Sequence, residues 1–265
     1  MSDARWIRRR RVSAAGLAMA LGGLAVIVFS LSAAAYILPP GSILRRLSEA
    51  RDELQLSALR VDGTITFAGS AASEAASAFS AATVKADIQA DAALLLKMPG
   101  RCRWEVAAPT GGKTAAVWSH GKRRTEGPEL APMIAALDQI CPILAARSSS
   151  EAETRAAIER HLRSLKIDTR TTSLARLAGQ VAYVLGNPAD AQPQFWIYKD
   201  TFLPARVRWS DPTGGAYDAR FIDYGSPVSG DVFPRVTELY QNNELAIRFI
   251  GLKSDVRAQL SDKLF

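Results

Sequence analysis

The side chains able to carry chemistry are few and far apart. His120 falls in a turn ahead of Gly121, and His161 falls on the polar side of a helical pattern. Neither has a triad-like neighbour in sequence, and a general base needs an orienting group on one side and a nucleophile on the other. The Gly111-Gly112 pair in loop 109–114 lacks the following helix whose N-terminus would cradle a phosphate. Two cysteines, Cys102 and Cys141, with two distant histidines do not make a metal site. The chemistry these residues predict is therefore binding rather than catalysis, with no enzyme activity, no metal and no cofactor.

The N-terminus dictates where that binding takes place. Arg5 and the run Arg8 to Arg11 precede a stretch from Val12 to Leu44 without a single charge, the pattern of a secretory signal. Ala33-Ala34-Ala35 offers a cleavage site, yet the apolar run is also long enough to span a bilayer. Removal and retention both stay open; if retained, the basic flank keeps the N-terminus cytoplasmic and the body beyond the inner membrane. Residues 1–40 are thus expected to be a signal peptide or signal anchor, and 41–265 a single periplasmic domain. In an oxidising compartment the expectation for Cys102 and Cys141 is a disulfide, with two separately buried thiols as the alternative.

The formal charge of +7 overstates any affinity for nucleic acid, because residues 1–11 hold five arginines and one aspartate. The body is mildly basic, and an exported domain meets no nucleic acid. With 48% apolar and 22% charged residues the composition is globular, and the roughly 225 to 230 residues beyond the signal suit one domain.

The pattern along the body is mostly of period two. After Pro39-Pro40-Gly41, the residues Ile43, Leu47, Ala50 and Leu54 fall at helical spacing behind Ser42. Val61, Gly63, Ile65 and Phe67 then alternate with Arg60, Asp62, Thr64 and Thr66, which is a strand buried on one face. Residues 69–82 are small and read as a loop. One long strand follows, carrying Val84, Ala86, Ile88, Ala90, Ala92, Leu94 and Leu96 on one face. Met98-Pro99-Gly100 turns the chain into Cys102, Trp104 and Val106, and Leu96 must oppose Cys102 if the apolar rows are to share a face. A three-residue loop with Gly100 in the left-handed conformation supplies that register.

A further strand over 115–119 precedes two helices, 131–146 with Ile134, Leu137, Cys141 and Leu144 on one side, and 151–165 opened by a capping box of Ser150 and Glu153. Pro142 is expected to kink or end the first. Strands return over 180–185, 194–199, 204–210, 217–224, 233–240 and 244–250. Nine or ten strands polar on one face, interrupted by two consecutive helices, predict an α+β, mostly β fold: one strongly curved antiparallel sheet, an incomplete β-barrel, with helices covering its concave side. A sheet of that length curls, and its inward rows then face a common space.

The segment Leu96-Lys97-Met98-Pro99-Gly100-Arg101-Cys102-Arg103-Trp104-Glu105 resembles the hairpin of the periplasmic lipoprotein carrier LolA and its relatives. Lys113 to Arg124 with Val117-Trp118 and His120-Gly121-Lys122, the run Phe195-Trp196-Ile197-Tyr198-Lys199-Asp200, Leu203-Pro204-Ala205-Arg206-Val207, Phe221-Ile222-Asp223-Tyr224 and Phe233-Pro234 continue the likeness in order over about residues 43–265. Each motif alone is weak; their succession carries the resemblance.

The resemblance implies a half-barrel lidded by helices, whose cavity accepts the acyl chains of lipoproteins or another lipid for transfer from the inner toward the outer membrane. It implies an inner-membrane release complex and an outer-membrane acceptor as partners, with membrane contact transient or through the N-terminal segment. Relatives of the RseB type instead sense envelope stress by binding a protein, which is the alternative if the N-terminal anchor is retained. LolA places an arginine before the hairpin proline to latch its lid, whereas this chain has Met98, leaving Lys97 and Arg101 as the cations flanking that mouth. The candidate cavity residues are Val61, Ile65, Ile88, Leu94, Leu96, Trp104, Val106 and Trp118, with Ile134 and Leu137 as lid.

Overall fold

The structure, a computed structural model, describes residues 37–80, 87–189 and 191–265. The export segment expected over 1–40 and the positions Val84 and Ala86 lie outside the described residues, apart from 37–40. Twelve strands form one antiparallel sheet: β1 (Ala58–Phe67), β2 (Ile88–Lys97), β3 (Arg101–Ala107), β4 (Lys113–Ser119), β5 (Lys122–Glu126), β6 (Thr172–Leu177), β7 (Gln180–Gly186), β8 (Gln194–Tyr198), β9 (Pro204–Ser210), β10 (Ala216–Ile222), β11 (Val236–Gln241) and β12 (Glu244–Asp255). Their spatial order is β5-β4-β3-β2-β1-β12-β11-β10-β9-β8-β7-β6, so β5 and β6 are free edges and the barrel is incomplete.

Helices α1 (Pro40–Glu53), α2 (Gly69–Ala78), α3 (Ala131–Leu144) and α4 (Glu151–Ser164) complete the domain. Proline opens α1 at a position where its missing N–H costs nothing. Ser150 caps α4 by accepting from the Glu153 amide, while the Glu153 carboxylate turns to Ser148 and Ser149. Helix α3 packs against β3 and β4 on one side of the sheet and β9, β11 and β12 on the other, which places it across the concave face.

The β2–β3 hairpin has the expected register, Leu96 opposite Cys102 and Lys97 opposite Arg101, around a three-residue loop in which Gly100 has φ +60°. Elsewhere the sequence reading needs correction. Residues 69–82 were expected as a loop, but Gly69–Ala78 is a helix that buries Ala71, Ala72, Ala75 and Ala76; alanine stripes give little contrast in hydropathy although the residue has the highest helix propensity. Pro142 lies inside α3, which ends two residues later at Leu144 rather than at 146. Strands β5 and β6 bring the count above the nine or ten expected; β5 is almost wholly exposed and has no apolar alternation to betray it.

Candidate functional site

Strand register converts the predicted residues into cross-strand rows. On the concave side Leu59, Leu96, Cys102 and Trp118 form one row, and Val61, Leu94, Trp104 and Ala116 the next. Val106 opposes Ala92, Ile65 opposes Ala90, and Ile88 sits beside Phe67 at the far end. The structure thus brings the candidate set to one face.

That face is packed. Val61, Ile65, Leu94, Leu96 and Trp104 have 0% exposure, which leaves no water-sized void against them. Trp104 meets Phe249 edge-on at 5.6 Å, and its indole N–H has no partner. Helices fill the hollow the sequence predicted: Met133, Ala136, Leu137, Ile140 and Leu144 of α3 and Ile43 and Leu47 of α1 are buried in the same core. Of the predicted cavity and lid residues, Ile88, Trp118 and Ile134 are partly exposed.

The covering helix is held very differently at its two ends. At its C-terminal end Cys141 is bonded to Cys102 of β3. There the Ala145 carbonyl accepts from the Gly100 amide, and the Leu144 carbonyl accepts from the buried guanidinium of Arg51. Burial lowers the Arg51 pKa against smaller opposing pulls from Tyr224 and Asp52, and the two carbonyls it serves, Leu144 and Val232, fix α1 against both.

The N-terminal half of α3 has no covalent tie; its first amide, Ala131 N–H, donates to Glu74 Oε1 of α2 at 2.6 Å, and it lies between two clefts. One, of about 510 Å³, is bounded by Ala116, Thr125 and Gly127 of the β4–β5 side. The other, also about 510 Å³, is bounded by Trp209, Pro212 and Tyr217 of the β9–β10 side, with the two rings stacked at 5.1 Å. Ile134, Asp138, Arg123 and Glu129 line both. Arg123 reaches Asp138 Oδ2 at 3.0 Å, whereas Oδ1 is buried without a partner. Burial pushes the Asp138 carboxyl up to about 6, against the pull of Arg123.

His161 departs from expectation. It faces inward from α4 with Nε2 2.9 Å from Gln139 Oε1, and burial pushes its pKa down to about 4. Position 161 falls near the border of the apolar stripe, and the helix pattern alone could not show that α3 lies there. Lys97 and Arg101 also differ from the mouth role expected of them. Both pair with Asp262 and Lys97 donates to the Leu260 carbonyl, so both are committed to the C-terminal tail. They occupy the row outside Leu96 and Cys102, hence the convex face. Met98 packs against the core beside them.

Among the described residues no group of three or more His, Cys, Asp or Glu could hold a metal ion. No family model matches the chain, and no curated protein matches it. Among solved structures the chain is similar to a LolA superfamily protein from Nitrosomonas europaea at 11% identity and a TM-score of 0.46, over 86% of this chain and 98% of that one. It is similar to a putative outer membrane lipoprotein-sorting protein domain from Vibrio parahaemolyticus at 11% identity and a TM-score of 0.40, over 83% and 93%. A chain of the Pseudomonas aeruginosa MucA/MucB complex is similar at 15% identity and a TM-score of 0.27, over 85% of this chain and 60% of that one.

Proposed function

We propose that the protein is an exported, periplasmic carrier that holds an acyl chain of a lipoprotein or another lipid between α3 and the concave face of the sheet. The observation that carries this reading is the asymmetry of α3, stapled to β3 at Cys141 and flanked by clefts at Ile134. Swinging the N-terminal half outward about the staple would uncover Leu94, Trp104 and Val106 while the fold stays intact. An acyl chain entering there would gain about 0.8 kcal/mol per buried methylene, so roughly ten to fifteen groups would offset the contacts α3 gives up. Ile134 and Leu137 act as lid, and Val61, Ile65, Ile88, Leu94, Leu96, Trp104, Val106 and Trp118 as the lining.

The second reading is a membrane-anchored envelope adaptor that binds a protein, and the packed interior favours it: a core with Val61, Leu94 and Trp104 at 0% exposure needs no ligand to be complete. The first 40 residues, kept as an anchor, would confine such a protein to the inner membrane; cleaved, they would release a shuttle.

Native mass spectrometry of protein purified from the envelope tests the proposal. Lipid retained at one copy per chain supports the carrier. A mass equal to the polypeptide alone, with no adduct after incubation with diacylglyceride micelles, supports the adaptor. Sequencing the mature N-terminus then separates shuttle from anchor.

A further inference from the structure

Two buried polar groups of the concave core have nothing to bond. Of the side-chain nitrogens and oxygens without a partner among the described residues, only the Trp104 indole N–H and the Thr237 hydroxyl belong to residues less than a tenth exposed, at 0% and 2%. The great majority of buried donors in folded proteins are paired, because an unpaired one gives up its bond to water and gains none.

The chain satisfies the same groups elsewhere. The buried indole of Trp196 donates to Gln194 Oε1, and the buried hydroxyls of Thr114 and Thr154 donate to the Pro128 carbonyl and to Asp52. Trp104 and Thr237 therefore stand apart from residues of their own types.

The two orphans share one neighbour. Trp104 of β3 meets the Phe249 ring edge-on at 5.6 Å, and Thr237 of β11 is the register partner of Phe249 on β12. They flank one phenylalanine from opposite halves of the sheet, and α3 packs on β3, β11 and β12 alike. The row that carries Trp104 runs on through Ala116 to Thr125, and both of these border the cleft of about 510 Å³ beside the N-terminal half of α3. Trp104 thus lies one strand in from an opening, under the helix that closes it.

What enters there decides whether the donors are served. A hydrocarbon chain has no acceptor and leaves both as they are, whereas the carbonyl at the head of an acyl chain offers the lone pairs they lack.

We propose that Trp104 and Thr237 select the cargo by its carbonyl, the indole N–H and the hydroxyl donating to the ester or amide oxygen of an acyl lipid once α3 lifts. The inference rests on the carrier reading and names what that carrier tells apart, acyl lipids from alkyl ones. Burial sharpens the choice, since a lipid without the oxygen returns both donors to the unpaired state.

The test compares three fluorescent probes of equal chain length on the mature protein, with the chain linked by an ester, an amide or an ether. The ester or the amide is expected to bind at least tenfold more tightly than the ether, and which of them leads assigns the source of the carbonyl. That ratio is expected to fall at least threefold in Trp104→Phe and in Thr237→Val. Thr237→Val keeps the side-chain shape and sheds an unpaired hydroxyl, so without ligand it should melt no lower than the wild type, and it carries the test if Trp104→Phe folds poorly. An ether bound as tightly as both carbonyl probes, or a ratio that survives in both variants, would overturn this inference and leave the carrier reading standing. Uptake of none of the three would overturn both.

Discussion

Cys102 on β3 and Cys141 on α3 stand 39 residues apart in sequence and are joined with their Cα atoms 5.8 Å apart. The helix that covers the concave face is therefore bonded to the sheet at one end, and held at the other by packing, the hydrogen bond from Ala131 N–H to Glu74 and the Arg123–Asp138 pair.

Closing a loop of that length restricts the unfolded chain by about 4 kcal/mol in the chain-entropy account. Replacing both cysteines by serine should lower stability by about 3 to 4 kcal/mol, or roughly 10 °C in Tm. Urea denaturation measures it; a loss under about 1 kcal/mol would mean that the staple contributes little to the fold.

Leu94 and Ile134 should answer truncation differently. Leu94 is fully buried between β1 and β3, and Leu94→Ala is expected to cost about 2 to 5 kcal/mol. Ile134 is partly exposed between the clefts, so Ile134→Ala should cost under about 1 kcal/mol while weakening acyl uptake. Equal destabilisation by the two would place Ile134 in the static core.

Gly63 and Gly41 make a second contrast. A methyl at Gly63 collides with the backbone of β12, so Gly63→Ala should destabilise by more than about 2 kcal/mol. Nothing lies within 4 Å of a Cβ at Gly41 in the first turn of α1, and Gly41→Ala should stabilise by up to about 1 kcal/mol. Thermal melts of the two variants decide both signs.

His161 and Asp138 predict opposing pH slopes. The His161 pKa falls from 6.5 to about 4 on folding, so its contribution is present above pH 6.5 and is lost as pH falls toward 4. The Asp138 pKa rises from 3.8 to about 6, so its contribution is present below 3.8 and is lost as pH rises through 6. Over pH 4 to 6 the two offset each other. His161→Gln should therefore be more stable at pH 5 than at pH 7, and Asp138→Asn less stable at pH 5 than at pH 7. Denaturant midpoints at the two pH values read the result; parallel slopes in the two variants would contradict it.

What was legible in the sequence had a strong local signature. The Leu94-Leu96 and Cys102-Trp104 rows fixed the β2–β3 register, because a slip of one residue would turn every apolar side chain outward. The cap at Ser150 lay in a run of four residues. Helix α2 escaped because alanine and serine carry no contrast between faces, and β5 because Lys122, Arg123 and Arg124 are exposed whichever way the strand lies. The filled interior is a sum of side-chain volumes from α1, α3 and six or more strands, which periodicity cannot weigh. The tail on the convex face was invisible for a like reason: Lys97, Arg101 and Arg103 look solvated until Asp262 and Leu264 are brought to them across the chain.

The most direct test of the lid account is the uptake of a fluorescent fatty-acyl probe by the mature protein, compared with Ile134→Arg and with the disulfide-reduced form. The account predicts saturable uptake at one probe per chain, lost or weakened at least tenfold in Ile134→Arg, with Trp fluorescence quenched as the chain reaches Trp104. Absence of uptake by the wild-type protein, or uptake indifferent to Ile134, would contradict it.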